Sequence, residues 1–207
     1  MSYAIVASMI RPAIAAALLA LSACASTPKV QPTDWRVVVT SDDRQRLREW
    51  RTSFTRALDR ARIAHAADVT REGRLLDPDA AIPGRLPNGD YRCRVIKLGA
   101  RSEGLLDYIA YPAFACRVRQ EREVQGFAKL SGSQRPVGLV FPGDALRQVF
   151  LGTLVLGDES RMMQYGGDPD RDVAGWVEQI EPNRWRMILP RPRYESLTDV
   201  IELVPAR

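Results

Sequence analysis

The side chains with the most chemical promise are two lysines set in otherwise apolar strand patterns. The chain has only three lysines, Lys29, Lys97 and Lys129, and the last two interrupt runs that alternate like half-buried β-strands. Around Lys129 stand Ser131-Gly132-Ser133, Gln134 and Arg135, and Lys97 lies on an earlier strand. Cations and amides gathered in one pocket would hold a small anion, so Lys97, Lys129, Gln134 and Arg135 form the candidate ligand site. The competing reading has both ammonium heads escaping to solvent along their stems.

Other constellations fall short of a catalytic set. His65 is the one histidine, so a Ser-His-Asp or Cys-His system would depend on it alone; a helix-surface histidine is the simpler expectation. Ser131-Gly132-Ser133 lacks the Gly-x-Ser-x-Gly elbow of a nucleophilic serine. Asp168, Asp170 and Asp172 alternate as at the start of a calcium loop, but Val173 stands where that loop needs Gly and Gln179 where it needs Glu. A solvated turn is expected there instead. Paired carboxylates, Asp158 with Glu159 or Asp170 with Asp172, would serve a hydrolase acting on an envelope polymer, although no separation between them is readable from sequence. No catalytic residue, metal site or cofactor is expected, and the protein is expected not to be an enzyme.

The cysteines divide by role. Cys93 is in phase with Tyr91 and Val95 while Arg92 and Arg94 take the opposite face; Cys116 is in phase with Phe114 and Val118. Both thiols therefore face the apolar side of neighbouring strands. A Cys93–Cys116 disulfide would stabilise the fold by roughly 3 kcal/mol through restriction of the unfolded chain. Two buried thiols that never meet is the alternative, because inward phase does not bring α-carbons into bonding range. Two cysteines without Cys-x-x-Cys spacing and one remote histidine do not make a zinc site.

The third cysteine belongs to an address. Residues 1–23 read as a signal peptide, with Arg11 before the apolar run Ala13 to Leu21, too short to span a bilayer; Met9 is an alternative start. Leu21-Ser22-Ala23-Cys24 resembles the lipobox of bacterial lipoproteins. The resemblance implies lipidation of Cys24, with palmitate among its acyl chains, and Ala25 in place of Asp implies sorting to the outer membrane. Two or more acyl chains suffice for stable anchoring, so the membrane is a partner through the N-terminal lipid. An Ala23-Cys24-Ala25 cleavage site leaving a soluble periplasmic protein is the alternative. Residues 24–33, with Pro28 and Pro32, read as anchor and tether.

Residues 34–207 must position any site, and they read as a single domain. Thr40 is a good N-cap, and Asp43 three residues on can close a capping box. Leu47, Trp50, Phe54, Ala57, Leu58 and Ala61 then recur at spacings of three and four among arginines, predicting one amphipathic helix over about 41–72 that packs on an apolar core, with Gly73 as its stop. Val37 to Val39 reads as a short strand or extended lead-in. From Asp90 onward the pattern is β, with strands near 91–98, 106–109, 114–118, 124–130, 137–141, 149–156, 176–180, 184–189 and 200–204. The central hairpin alternates Val137, Leu139 and Phe141, turns at Pro142-Gly143-Asp144 and resumes at Val149. The fold class is mainly β (α+β), a single antiparallel barrel-like or sandwich domain preceded by an N-terminal helix. Barrel closure is favoured because it removes free edges.

From Asp34 to about Pro205 the chain resembles a family of Gram-negative envelope proteins known only as domain of unknown function 4893. The residues that carry the likeness are Gly89 through Gly99, Tyr111-Pro112-Ala113-Phe114, Phe127 through Gly138, Leu151-Gly152-Thr153-Leu154 and Arg184-Trp185-Arg186. The resemblance implies no catalysis, ligand or partner.

The net charge of +5 comes from scattered arginines interleaved with acids, not a phosphate-tracking stripe, so nucleic acid is not expected as a partner. The sequence thus predicts a lipid-anchored module on the periplasmic side of the outer membrane that binds a small anionic ligand or an envelope protein.

Overall fold

The computed structural model describes residues 33–206. The signal peptide, the lipidation at Cys24 and the tether up to residue 32 lie outside the described residues. Nine strands follow one another in the sheet in chain order, and the last returns to the first: β1 (Gly89–Ala100), β2 (Tyr108–Ala110), β3 (Phe114–Glu121), β4 (Val124–Lys129), β5 (Gln134–Pro142), β6 (Arg147–Leu156), β7 (Asp172–Glu181), β8 (Arg184–Pro190) and β9 (Ser196–Pro205). Every pairing is antiparallel, and β9 lies along β1 from Tyr91↔Pro205 to Ala100↔Ser196. The strands β2 and β3 both pair with the same edge of β1 and act as one stave, interrupted at Pro112, which has no N–H to donate. The result is an eight-stave, up-and-down barrel, and closure leaves only the outer edge of the three-residue β2 without a partner strand. All nine predicted strands are present, although β5, β7 and β9 begin three or four residues earlier than alternation places them and β2 begins two residues later.

Inward residues fill most of the barrel. Tyr91, Cys93, Cys116, Phe127, Phe150, Trp185, Met187 and Leu203 belong to one buried cluster, with Phe127 and Phe150 in edge contact at 5.6 Å between ring centres. Cys93 and Cys116 are bonded, with their α-carbons 5.9 Å apart, so the two inward phases do converge.

The predicted single helix is two. α1 (Ser41–Arg48) and α2 (Trp50–Arg71) are separated at Glu49, whose φ/ψ of −93°/9° is not helical. The break lets each helix lay its own apolar stripe on a different part of the barrel. Phe54, Ala57, Leu58 and Ala61 of α2 pack on Ile96, Leu98, Ile188 and Val200, while Leu47 of α1 packs with Val149, Leu151 and Ala174. A Cβ on Gly99 would come 3.1 Å from Ala57 Cα, and its φ of +68° favours glycine, so this residue lets α2 lie close to β1. Thr40 caps α1 by accepting from Asp43 N–H at 3.2 Å, but the Asp43 carboxylate does not return the bond. It accepts from Arg46 and Tyr165 instead, which ties the cap to the β6–β7 loop. The lead-in at Trp35–Val37 is a 3₁₀ turn, not a strand, with the Trp35 ring against Trp176. Gly73 ends α2 in the left-handed region, as its position predicts.

The two ends of the barrel differ. At the base, the chain before β1 crosses the opening with Leu86 buried. Leu86 N–H donates to Gln148 Oε1 at 2.7 Å and its carbonyl accepts from Gln125 Nε2 at 2.9 Å; the Tyr91 hydroxyl donates to Pro87 O at 2.6 Å. The other end, the mouth, is surrounded by the β1–β2, β4–β5, β6–β7 and β8–β9 loops.

Candidate functional site

Inward phase continues up the staves to the mouth, where it delivers polar groups. On β1, Tyr91, Cys93 and Val95 are followed by Lys97; on β9, Leu203 and Ile201 are followed, toward the mouth, by Asp199. Those two residues are register partners across the seam that closes the barrel. Lys129 ends β4 and Gln134 opens β5, joined by the turn over Ser131-Gly132-Ser133. These residues, with Tyr111, Phe114 and Glu195, line a cavity of about 110 Å³ whose deeper wall is apolar, from Val95, Leu154, Leu189 and Ile201.

The two lysines have opposite electrostatic situations. Lys97 Nζ lies 3.1 Å from Asp199 Oδ2, 3.2 Å from Glu195 Oε2 and 3.1 Å from Gln134 Oε1. Burial works against its charge, but Asp199 and then Glu195 outweigh that and hold the ammonium above its ordinary value. Burial likewise lifts the Asp199 carboxyl, against the pull of Lys97 and of the Ser196 hydroxyl, which donates to it.

Lys129 is buried as well, yet among the described residues no carboxylate pairs with it. Its Nζ donates to Gln134 O at 2.8 Å and sits 3.9 Å from the centre of the Phe114 ring. Burial, and then the positive charges of Arg135 and Lys97, push this amine down to about 8. Gly132 is what lets the β4–β5 turn fold over it: a Cβ there would stand 2.8 Å from Lys129 Nζ, at a φ of +92°.

Three of the four predicted ligand residues, Lys97, Lys129 and Gln134, therefore meet at one cavity. Arg135 does not. Its neighbour Gln134 faces in, so strand alternation turns Arg135 outward, where it donates to the carbonyls of Gly132, Gly157 and Glu159 at 2.5–2.7 Å. It braces two mouth loops and contributes positive potential without lining the cavity. Reading Gln134 and Arg135 as one unit overlooked the period of two. Asp199 and Glu195 were missed; the available signal was Asp199 standing in phase with inward Ile201 and Leu203.

The remaining candidates are placed apart from the cavity. His65 is half-buried at a kink in α2, stacked 5.6 Å from Tyr108, with Nδ1 3.3 Å from Asp68. Glu159 faces Arg171 at 2.9 Å and accepts from Leu156 N–H, contacts that hold its carboxyl down to about 2. Asp170 pairs with Arg193, and Asp172 is buried accepting from Gly166 N–H. Asp168 accepts from Asp170 N–H within the turn.

Together, fold and site define a small up-and-down β-barrel protein with a plugged base and a mouth that buries one paired and one unpaired lysine. The chain belongs to the family described as a domain of unknown function (DUF4893), whose model matches residues 35–203. No curated protein and no solved structure matches it.

Proposed function

We propose that the protein is a non-catalytic binding module whose barrel mouth takes a small anionic ligand. One observation carries the reading: the Lys129 ammonium is buried, lacks a carboxylate among the described residues and opens on a cavity beside Lys97. A buried charge without a counter-charge is costly, and a ligand carboxylate or phosphate would supply that counter-charge. The cavity volume limits the bound portion to a few heavy atoms. The rival hydrolase reading draws no support from Asp158 with Glu159 or Asp170 with Asp172, since Glu159 and Asp170 each face an arginine and Asp172 a backbone amide.

Thermal unfolding in acetate, pyruvate and inorganic phosphate tests the binding. Wild type is expected to gain stability with at least one of these anions while Lys129→Met gains none. Equal shifts in both proteins, or none with any anion, would remove the reading.

The same module is proposed to sit on the periplasmic side of the outer membrane through lipid on Cys24, on the strength of Leu21-Ser22-Ala23-Cys24. Cys24→Ser should abolish incorporation of labelled palmitate; a soluble wild-type protein without label would favour the cleaved periplasmic form.

A further inference from the structure

We propose that Lys129 is a carbonyl-capturing amine, and that the mouth takes a small 2-oxo acid as a reversible imine on Lys129 Nζ. This rests on the anion-binding reading and names its ligand class. Three features of the cavity support it.

The first is the nucleophile. Lys129 Nζ has the Phe114 ring on one side and one carbonyl bond, and no carboxylate among the described residues holds its proton in place. A second ammonium, Lys97, and the outward Arg135 guanidinium are the charged groups that act against its protonation, while Asp199 and Glu195 are engaged by Lys97. A lysine in an apolar wall beside another cation is the arrangement that frees the amine lone pair near neutral pH. With the amine down at about 8, its neutral form at pH 8 is about a hundredfold more populated than that of an ordinary lysine.

The second is a set of neutral donors for the acid group. Tyr111 Oη, Ser133 Oγ and Gln134 Nε2 belong to residues lining the same cavity, and none has a partner among the described residues. Hydroxyl and amide donors can hold a carboxylate without consuming the amine. The third is size: about 110 Å³ suits a three-carbon acid more closely than a sugar or a nucleotide.

The step balances without an oxidant or reductant. The Lys129 nitrogen lone pair attacks the carbonyl carbon, an N–C bond forms, and the C=O π pair moves to oxygen. A proton passes from nitrogen to that oxygen through water at the mouth, and loss of water from the carbinolamine leaves the C=N bond.

Borohydride trapping provides the test, because hydride adds to the imine carbon, nitrogen takes a proton from water, and a stable secondary amine results. The full-length protein is incubated with pyruvate and sodium borohydride, and the modified peptides are mapped by mass spectrometry. With only Lys29, Lys97 and Lys129 to compare, the label should fall on Lys129 in large excess. Acetate, which carries the carboxylate but no reactive ketone, should slow labelling and leave no adduct. Lys129→Arg, which has no amine able to form the imine, should lose the adduct.

No label on Lys129, or label spread evenly over the three lysines, overturns the inference. If acetate and pyruvate stabilise the wild type yet nothing is trapped, the binding reading stands and imine formation alone falls. If Lys129 is trapped but no anion stabilises the protein, the amine chemistry stands and the anion reading falls.

Discussion

The sharpest consequence of the mouth geometry concerns stability against pH. An ordinary lysine titrates at 10.5, and Lys129 in the folded barrel is down at about 8. At about 1.4 kcal/mol per unit that difference would amount to about 3 kcal/mol, and water at the mouth screens it to about 1–2 kcal/mol. The sign follows from proton counts. Between about pH 8 and 10.5 the unfolded chain holds the Lys129 proton and the folded chain does not, so this residue makes stability rise with pH through that window. Below pH 8 both states are charged and the full cost is present. Replacing Lys129 by Met keeps the side-chain volume and removes the charge. Lys129→Met should therefore be more stable than wild type at pH 7 by about 1–2 kcal/mol, and the advantage should vanish as pH passes 10.5. Urea unfolding followed by fluorescence, in chloride buffers free of carboxylate and phosphate, measures both proteins at each pH. Lys97, Arg135, Asp199 and Glu195 surround the position in both, so the difference between the two curves isolates Lys129. A variant less stable than wild type at pH 7, or a difference that ignores pH, would refute the assignment of an uncompensated buried charge.

Three further outcomes test how the barrel holds this site. Replacing Cys93 and Cys116 by Ala should cost about 3 kcal/mol in the chain-entropy account of a closed loop of this size; urea midpoints of the two proteins measure it, and equal midpoints would show the bond adds nothing. Arg186 is fully buried, bonded to Glu178 and to the carbonyls of Arg74 and Leu75. Glu178→Gln should cost about 3–5 kcal/mol by leaving that guanidinium uncompensated, and Glu178→Met with Arg186→Met should cost less; a double variant as damaged as the single one would contradict the pairing. Phe54→Ala should lose about 3–5 kcal/mol, because its ring is wholly enclosed between α2 and the barrel. A loss below about 1 kcal/mol would show that α2 is not part of the core.

The strands were legible because a closed barrel with a filled interior imposes strict alternation on every stave. Val137, Leu139 and Phe141 could be read as a strand without knowing their neighbours, and the apolar character of β6 on both faces reflects α1 outside and Phe127 inside. The disulfide was legible only to the point of phase; its formation depends on Tyr91↔Cys116 and Cys93↔Phe114 being successive inward rungs, with Arg92↔Ala115 between them, which is a matter of register. The helix break at Glu49 was not legible, since Leu47, Trp50 and Phe54 keep a helical rhythm through it. What breaks the helix is the barrel beneath: Trp176 Nε1 donates to Leu47 O at 2.9 Å, and this anchors the end of α1. Half of the site's charge also escaped notice. Lys97 and Asp199 are 102 positions apart in the chain, and only the seam between the first and last strands makes them neighbours.

The buried charges of this protein point to one end of the barrel. Among the described residues three cations are buried, Lys97, Lys129 and Arg186. Arg186 has Glu178, and Lys97 has Asp199 and Glu195; elsewhere the outer surface shows the same economy, with Arg94 between Glu72 and Glu202 and Arg184 between Glu181 and Glu202. Among the described residues the one buried cation without a carboxylate is Lys129, and the β4–β5 turn uses a left-handed glycine to press down on it. A methionine in that place would pack against Phe114 at no electrostatic cost. A lysine there lowers stability, which is the trade expected where a side chain serves a ligand and not the fold. The opposite end makes the contrast: Leu86 is held there by neutral amides from Gln125 and Gln148, bonds that close an opening and leave no charge waiting for a partner.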